Sequence, residues 1–413
     1  MNYQSSKTLN LGLGLTLLGL VACGNFIDLK QNIDTIEQEY VALEGVVVSE
    51  DCQDCAVMVA VLSDAEAELL SRYTIAKMGE AFHVKVPRDD KRAFLFADKN
   101  KNFTYDKDES YAWLALADVK HQSNTNPISN PVHIELKQVQ PQAPTYALGN
   151  LLTTQQQSIP LQKAKVVALT NPIFNPDSAA QGMWRPAEFI LAGKAGIYFL
   201  EDYSSTKEPV LFVHGIAGNP AEFSRFINQL DHTKYQAWVF FYPSGLGLKN
   251  IAQGLEGLMT ELFIRYKPKR AHLVAHSMGG LVTREYLGLC ASANSCSPFA
   301  SYTTIASPFG GHASAQGGVD YSPVVMPVWH DMAPASEFLR QLPNAPLPKN
   351  LTHHLIVAYL AGESSDGVIE IASQLHAPIQ KNAGSVRGFE GSHTGVLKDQ
   401  TLIDYVMTVW QDN

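Results

Sequence analysis

Arg270 to Leu281 read RAHLVAHSMGGL, an apolar run that stops at a serine and restarts as a glycine-led helix. A strand (Ala271, Leu273, Val274) that breaks at Ser277 into a helix (Gly279, Gly280, Leu281, Val282) exposes the hydroxyl at the carboxyl end of a sheet. Such a turn strains the serine backbone, so Ala275 and Gly279 must be small where strand and helix nearly touch. The helix directs its positive end toward the same hydroxyl. A serine held this way can attack an acyl carbon if a base takes its proton and a carboxylate orients that base.

Candidates for both partners follow in the chain. Asp366 lies in LIVAYLAGESSDGVIEIAS, just past a strand expected over 355–360. Its competitors are Glu363, the nearest, and Asp320 and Asp331, both in a Pro- and Trp-rich insertion. Asp366 could instead serve only as a turn former. His393, in FEGSHTGVLKD, precedes a final amphipathic stretch over 402–410, whereas His376 lies on the apolar segment IASQLHAPI and is expected to pack there. The imidazole would take the serine proton and return it to the leaving group, while the carboxylate fixes its tautomer.

Ahead of the serine, PVLFVHGIAGN (209–219) joins a buried strand to an uncharged, glycine-containing loop. Acyl transfer needs backbone N–H groups aimed at the developing oxyanion, one from this loop and one from the residue after the nucleophile. Those are the amides of Ile216 and Met278, and losing one such donor typically costs about 10²–10³ in turnover. The order Ser277, Asp366, His393 matches an α/β-hydrolase and not the chymotrypsin or subtilisin order.

The chain from about Trp184 to Asn413 resembles the bacterial lipase and esterase branch of the α/β-hydrolase superfamily, including relatives similar to GPI inositol-deacylases. VLFVHGIAG, VFFYPSG, LVAHSMGGLV, IASPFGG, SSDGV and SHTGVL carry the resemblance. It implies ester hydrolysis, with no metal or organic cofactor required, and with the nucleophile, acid, base and oxyanion amides at the positions above. Ala275 departs from the glycine that commonly opens the elbow, a change some lipases share.

These residues need a scaffold. Strands expected at 165–169, 196–200, 210–213, 237–242 and 303–306 alternate with helices at about 221–230 and 248–266. That implies a mostly parallel sheet with helices on both faces over 165–413. An irregular apolar insertion at about 310–347 would either cover the acyl pocket as a lid or cap the sheet core. Residues 141–164, rich in Pro, Gln and Thr, read as a connector. Short β-type runs at 40–48, 56–62, 81–86, 93–97 and 132–136 make 40–140 a small β-rich, sandwich-like domain.

The first 22 residues read as an export signal: Lys7, then an apolar core from Leu11 to Leu20 too short to span a membrane as a helix. Leu20-Val21-Ala22-Cys23 resembles the bacterial lipobox, which implies cleavage before Cys23 and acylation of its thiol. Gly24 in place of aspartate implies outer-membrane sorting in a Gram-negative host, facing either the periplasm or the outside. Residues 23–39 would be a polar tether. Several acyl chains hold a protein on a membrane without a spanning helix.

The full chain carries 31 basic and 40 acidic residues. Loss of the signal removes Lys7 and no acid, so the mature charge is 30 − 40 = −10. An acidic chain without a basic cluster argues against a nucleic-acid partner. The remaining cysteines form local pairs, Cys52/Cys55 and Cys290/Cys296, and an exported chain favours disulfides. Cys52 and Cys55 could alternatively be redox-active or half a metal site.

One charged loop has the EF-hand spacing of oxygen ligands, with Asp98, Asn100, Asn102, Asp106 and Glu109 at positions 1, 3, 5, 9 and 12. Phe103 stands where glycine normally permits the turn, so a solvated turn competes with a calcium site. Together these features lead to a membrane-anchored serine hydrolase of acyl esters. Acyl transfer by the same residues is an alternative, as is a non-catalytic surface lipoprotein whose β domain binds a partner.

Overall fold

The computed structural model describes residues 24–36, 38–64, 69–90, 92–100, 105–106, 108–116, 132–137, 162–292 and 298–411. The signal segment 1–22, Cys23, Asn102, Cys296 and most of the connector lie outside these residues.

The β-rich region contains β1 (Tyr40–Ser49), β2 (Ala56–Asp64), β3 (Leu69–Lys77), β4 (Ala81–Pro87), β5 (Arg92–Asp98), β6 (Tyr111–Ala115) and β7 (Val132–Leu136). They form a three-stranded sheet, β4-β1-β7, and a four-stranded sheet, β3-β2-β5-β6. Alternation decides the packing. Val41, Leu43 and Val47 of β1 meet Val57, Val59 and Val61 of β2 between the sheets. Met58, Phe94, Phe96 and Tyr111 line the opposite face of the four-stranded sheet, against which Ile264 packs. Cys52 and Cys55 are joined by a disulfide in the β1–β2 connection.

Ile264 belongs to the helix Leu248–Tyr266 of the second region. Here β8 (Gln162–Val166), β9 (Gly196–Phe199), β10 (Glu208–Val213), β11 (Tyr235–Phe241), β12 (Ala271–His276), β13 (Phe299–Ile305), β14 (Thr352–Tyr359) and β15 (Ser385–Glu390) build one sheet. Its order is β15-β14-β13-β12-β10-β11-β9-β8. β10 to β15 run parallel, and β9 pairs antiparallel with β11. This is the α/β-hydrolase fold with a β-rich region before it.

Both faces of the sheet are covered, which is why its strands read as continuous apolar runs. Leu211 and Val213 of β10 join the core beneath the helices Leu248–Tyr266 and Met278–Ser292. Val210 and Phe212 point the other way, into a core completed by Leu402, Ile403, Val406 and Trp410 of the terminal helix Gln400–Gln411. Among the described residues no helix is long and apolar enough to cross a membrane.

One expectation changes. The segment read as a polar tether is helical over 24–36. Leu29 is fully buried in the core, Phe26 meets Trp184 edge-on at 5.5 Å, and Asn32 Oδ1 accepts the Glu188 N–H. Phe26, Leu29 and Ile33 fall on one face and pack on the core, while Ile27 is exposed. The insertion folds into short helices, Ala313–Tyr321, Pro327–Met332 and Glu337–Gln341. Met326, Val328, Met332, Leu339 and Leu342 enter the main core, so these side chains cap it, while Tyr321 is exposed.

Candidate active site

β10 and β12 are parallel neighbours with Val213 opposite Ala275. The segments that leave them, the loop 214–218 and the turn at Ser277, therefore start side by side where the strand order reverses, the place where open α/β sheets bind ligands. Closeness requires glycine. A Cβ on Gly215 would come within 3.0 Å of Ser277 Cβ.

Ser277 has φ +52°. A left-handed serine costs on the order of 1–3 kcal/mol and persists only where its surroundings hold it. Its N–H donates to the Ile305 oxygen at 2.8 Å, and its own oxygen accepts the Gly280 N–H at 2.9 Å. The hydroxyl is thereby fixed at the start of the helix Met278–Ser292.

The three residues read from the sequence converge. His393 Nε2 is 2.9 Å from Ser277 Oγ, and its Nδ1 is 2.7 Å from Asp366 Oδ2. The His393 N–H also donates to the Asp366 backbone oxygen at 2.9 Å, which joins the two loops by main chain. Asp366 is fully buried. Its Oδ1 accepts the N–H groups of Val368 at 2.9 Å and Ile369 at 2.6 Å. Burial pushes its carboxyl up, but the His393 bond and these amides outweigh that and leave it below the ordinary aspartate value. The carboxylate thus stays ionised facing Nδ1, which leaves Nε2 as the acceptor for the serine proton.

Two of the rival carboxylates have other partners. Asp331 Oδ2 accepts the Leu248 N–H at 2.6 Å and caps the helix Leu248–Tyr266. Asp320 pairs with Gln316, Glu363 is exposed, and His376 precedes the short helix Ala377–Lys381.

Met278 is the first residue of its helix, so its N–H has no partner within that helix. Ile216 lies in the loop after β10, which is held by Tyr242 and Ser244. His214 stacks on Tyr242 with ring centroids 4.2 Å apart, the Tyr242 hydroxyl donates to the His214 oxygen at 2.5 Å, and the Ala217 N–H donates to Ser244 Oγ at 3.0 Å. Burial pushes the His214 imidazole down to about 4, so it stays neutral beside the loop. The line from Asp366 through His393 to Ser277 can take a proton from the serine hydroxyl.

Sequence reasoning passed over three residues here. Gln374, fully buried, donates to the Ala358 and Ile369 oxygens and reaches Asp366 Oδ2 at 3.4 Å. His276 Nδ1 lies 3.0 Å from Glu222 Oε1 beside the elbow. His276 stood in the motif next to Ser277 and carried a signal; nothing in the sequence distinguished Glu222 or Gln374.

The charged loop of the β-rich region does not assemble an oxygen cage from its described members. Glu109 spends its carboxylate on the N–H groups of Lys99 at 2.7 Å and Asp106 at 3.0 Å, and Asn100 turns its amide nitrogen to Asp106 Oδ2. Burial raises the Glu109 carboxyl to about 7. Asp98 and Glu109 are buried, which a solvated turn does not require, and residues 101–104 and 107, Asn102 among them, lie outside the described residues. Among those residues no group of three or more His, Cys, Asp or Glu side chains could hold a metal ion. Cys290 is disulfide-bonded, and Cys296 lies outside the described residues.

No match is found among curated proteins. Solved structures similar to this chain include the lin2722 gene product of Listeria innocua, at 16% identity and TM-score 0.39, over 48% of this chain and 92% of that one. Lipase BlEst2 of Bacillus licheniformis, in mature form, is 15% identical with TM-score 0.42, over 51% of this chain and 94% of its own. Phospholipase PlaB of Legionella pneumophila is 19% identical with TM-score 0.35, over 41% of this chain and 44% of its own. Residues 247–390 match the family model described as an α/β hydrolase of unknown function (DUF915), a segment that contains Ser277 and Asp366 and ends just before His393.

Proposed function

We propose that this protein is a serine hydrolase of acyl esters, held at a membrane by lipid on Cys23. One observation carries the catalytic part: a strained Ser277 hydroxyl, His393 and a buried Asp366 lie in a continuous hydrogen-bonded line beside two candidate oxyanion amides. In the reaction Ser277 Oγ attacks the ester carbonyl and its proton passes to His393 Nε2. The Ile216 and Met278 amides hold the oxyanion. Collapse expels the alcohol, which takes the proton from His393 and leaves an acyl-serine. Water, deprotonated by His393, attacks that ester and releases the carboxylic acid and free Ser277.

The lipobox-like Leu20–Cys23 supports the anchor, and the outer membrane of a Gram-negative cell is the proposed site. A chain-length series of p-nitrophenyl esters with wild type and Ser277→Ala tests the catalytic reading. Hydrolysis by wild type alone, with fluorophosphonate labelling at Ser277, is expected; equal activity in both proteins overturns it. A clickable fatty acid should label wild type and not Cys23→Ala, and label that survives the substitution removes the anchor.

A further inference from the structure

A second imidazole–carboxylate pair lies beside the first. His276 closes β12 directly before Ser277, and its ring is 2% exposed. Nδ1 is 3.0 Å from Glu222 Oε1, and Nε2 is 2.9 Å from the backbone oxygen of His393. Both partners are acceptors. A neutral imidazole has one N–H and satisfies one of them; the imidazolium has two and satisfies both.

Burial of the His276 ring opposes its charge, but the Glu222 carboxylate and the two hydrogen bonds outweigh that and lift it above the ordinary histidine value. The titratable groups around it are Glu222 on the turn after the oxyanion loop, His214 at the end of β10, Asp366 after β14, and His393, whose ring centroid is 4.8 Å away.

Glu222 also reaches the oxyanion loop. Its Oε1 accepts the Gly215 N–H at 3.2 Å, and Oε2 lies so close to Gly218 that a Cβ there would be 2.7 Å from it. One carboxylate therefore holds the oxyanion loop, and one imidazole holds the loop that carries the base. They meet at the strand end that carries the nucleophile.

We propose that Glu222 and His276 are positioning residues that lock the oxyanion loop, the Ser277 elbow and the His393 loop into a single register, an inference that rests on the ester-hydrolase reading. His276 acts through the backbone oxygen of His393, and Glu222 through the N–H of Gly215, the residue before Ile216. Because the two form one unit, removing either should forfeit most of what removing both forfeits.

The test compares Glu222→Gln, His276→Asn and the double variant on p-nitrophenyl butyrate. It is paired with nitrogen-15 histidine spectra of the wild type at neutral pH. Each single variant should lose about 10- to 100-fold in kcat with KM within about twofold, since small misplacement in an active site has effects of that order. The double variant should lose no more than the worse single, Glu222→Asp should regain part of the rate, and His276 should show two protonated ring nitrogens.

The proposal falls if both singles keep kcat within twofold of wild type, if the losses multiply in the double, or if KM rises with kcat intact. A His276 with one protonated nitrogen also overturns it. A wild type that hydrolyses no ester and takes no fluorophosphonate at Ser277 removes the ester-hydrolase reading instead. The spectra then decide whether the interlock exists, two protonated nitrogens supporting it and one refuting it.

Discussion

Gly279 approaches Val213 so closely that a Cβ added to it would lie 2.4 Å from the Val213 oxygen and 2.6 Å from that of His214. The atoms in the way are backbone, at the end of β10 and the start of the oxyanion loop, so no rotamer change relieves the clash. Gly279→Ala should move the two halves of the site apart. A shift of about 1 Å in an active site can cost around 10²-fold in rate. Ester hydrolysis should fall by at least that order in a protein whose circular dichroism shows it folded. Unchanged kcat would mean that strand and helix can part without disturbing the site.

Asp366→Asn tests the tautomer argument separately from packing. Val368 and Ile369 can still donate to the amide oxygen that replaces Oδ1, so the loop has reason to keep its shape. The amide NH₂ would then face His393 Nδ1, favouring the tautomer that carries its proton on Nε2 and so cannot accept from Ser277. Comparable substitutions cost about 10⁴ in kcat. A crystal structure of the variant with His393 in place, alongside a loss of that order, is the expected result; a loss under tenfold would detach Asp366 from the mechanism.

Gly254→Ala should stabilise the protein. Gly254 lies in the interior of the helix Leu248–Tyr266, it is exposed, and a Cβ there meets nothing within 4 Å. Glycine in such a position costs roughly 0.5–1 kcal/mol relative to alanine. The unfolding midpoint should rise with activity unchanged. A lower midpoint would show that the neighbouring sandwich needs the bare backbone there.

His393 was legible because it stands before the final amphipathic stretch, and Ser277, Asp366 and the loop 214–218 because each follows a strand whose apolar run gives way abruptly to glycine or polar residues. β10, β12 and the helix Leu248–Tyr266 were visible for the same reason: buried on a long face, they carry strong apolar patterns. β15 was missed because Arg387, Gly388 and Glu390 leave its edge-strand pattern exposed. β3 was missed because Leu69–Lys77 mixes serine, arginine and threonine with its apolar residues. The helix at 24–36 was hidden by polar composition, since only tertiary contact shows that Phe26 and Leu29 have a surface to meet. Glu222 and His276 are coupled across 54 positions of sequence, and no local pattern reveals a pair of that kind.

Asp331 links the insertion to the fold through a group that titrates. Burial raises its carboxyl to about 6, although the Leu248 N–H it accepts pulls the other way. Unfolded, an aspartate titrates near 3.9. Between these values the folded protein binds more protons than the unfolded one, so this group's contribution to stability falls as pH rises. It is fully present below the unfolded value and lost through the folded one. Asp331→Asn keeps an oxygen for the Leu248 N–H and removes the titration. The variant should therefore flatten the dependence of the unfolding midpoint on pH between about 4 and 6. Parallel curves for the two proteins across that window would show that Asp331 titrates as a solvated aspartate and that its cap on the helix carries no burial cost.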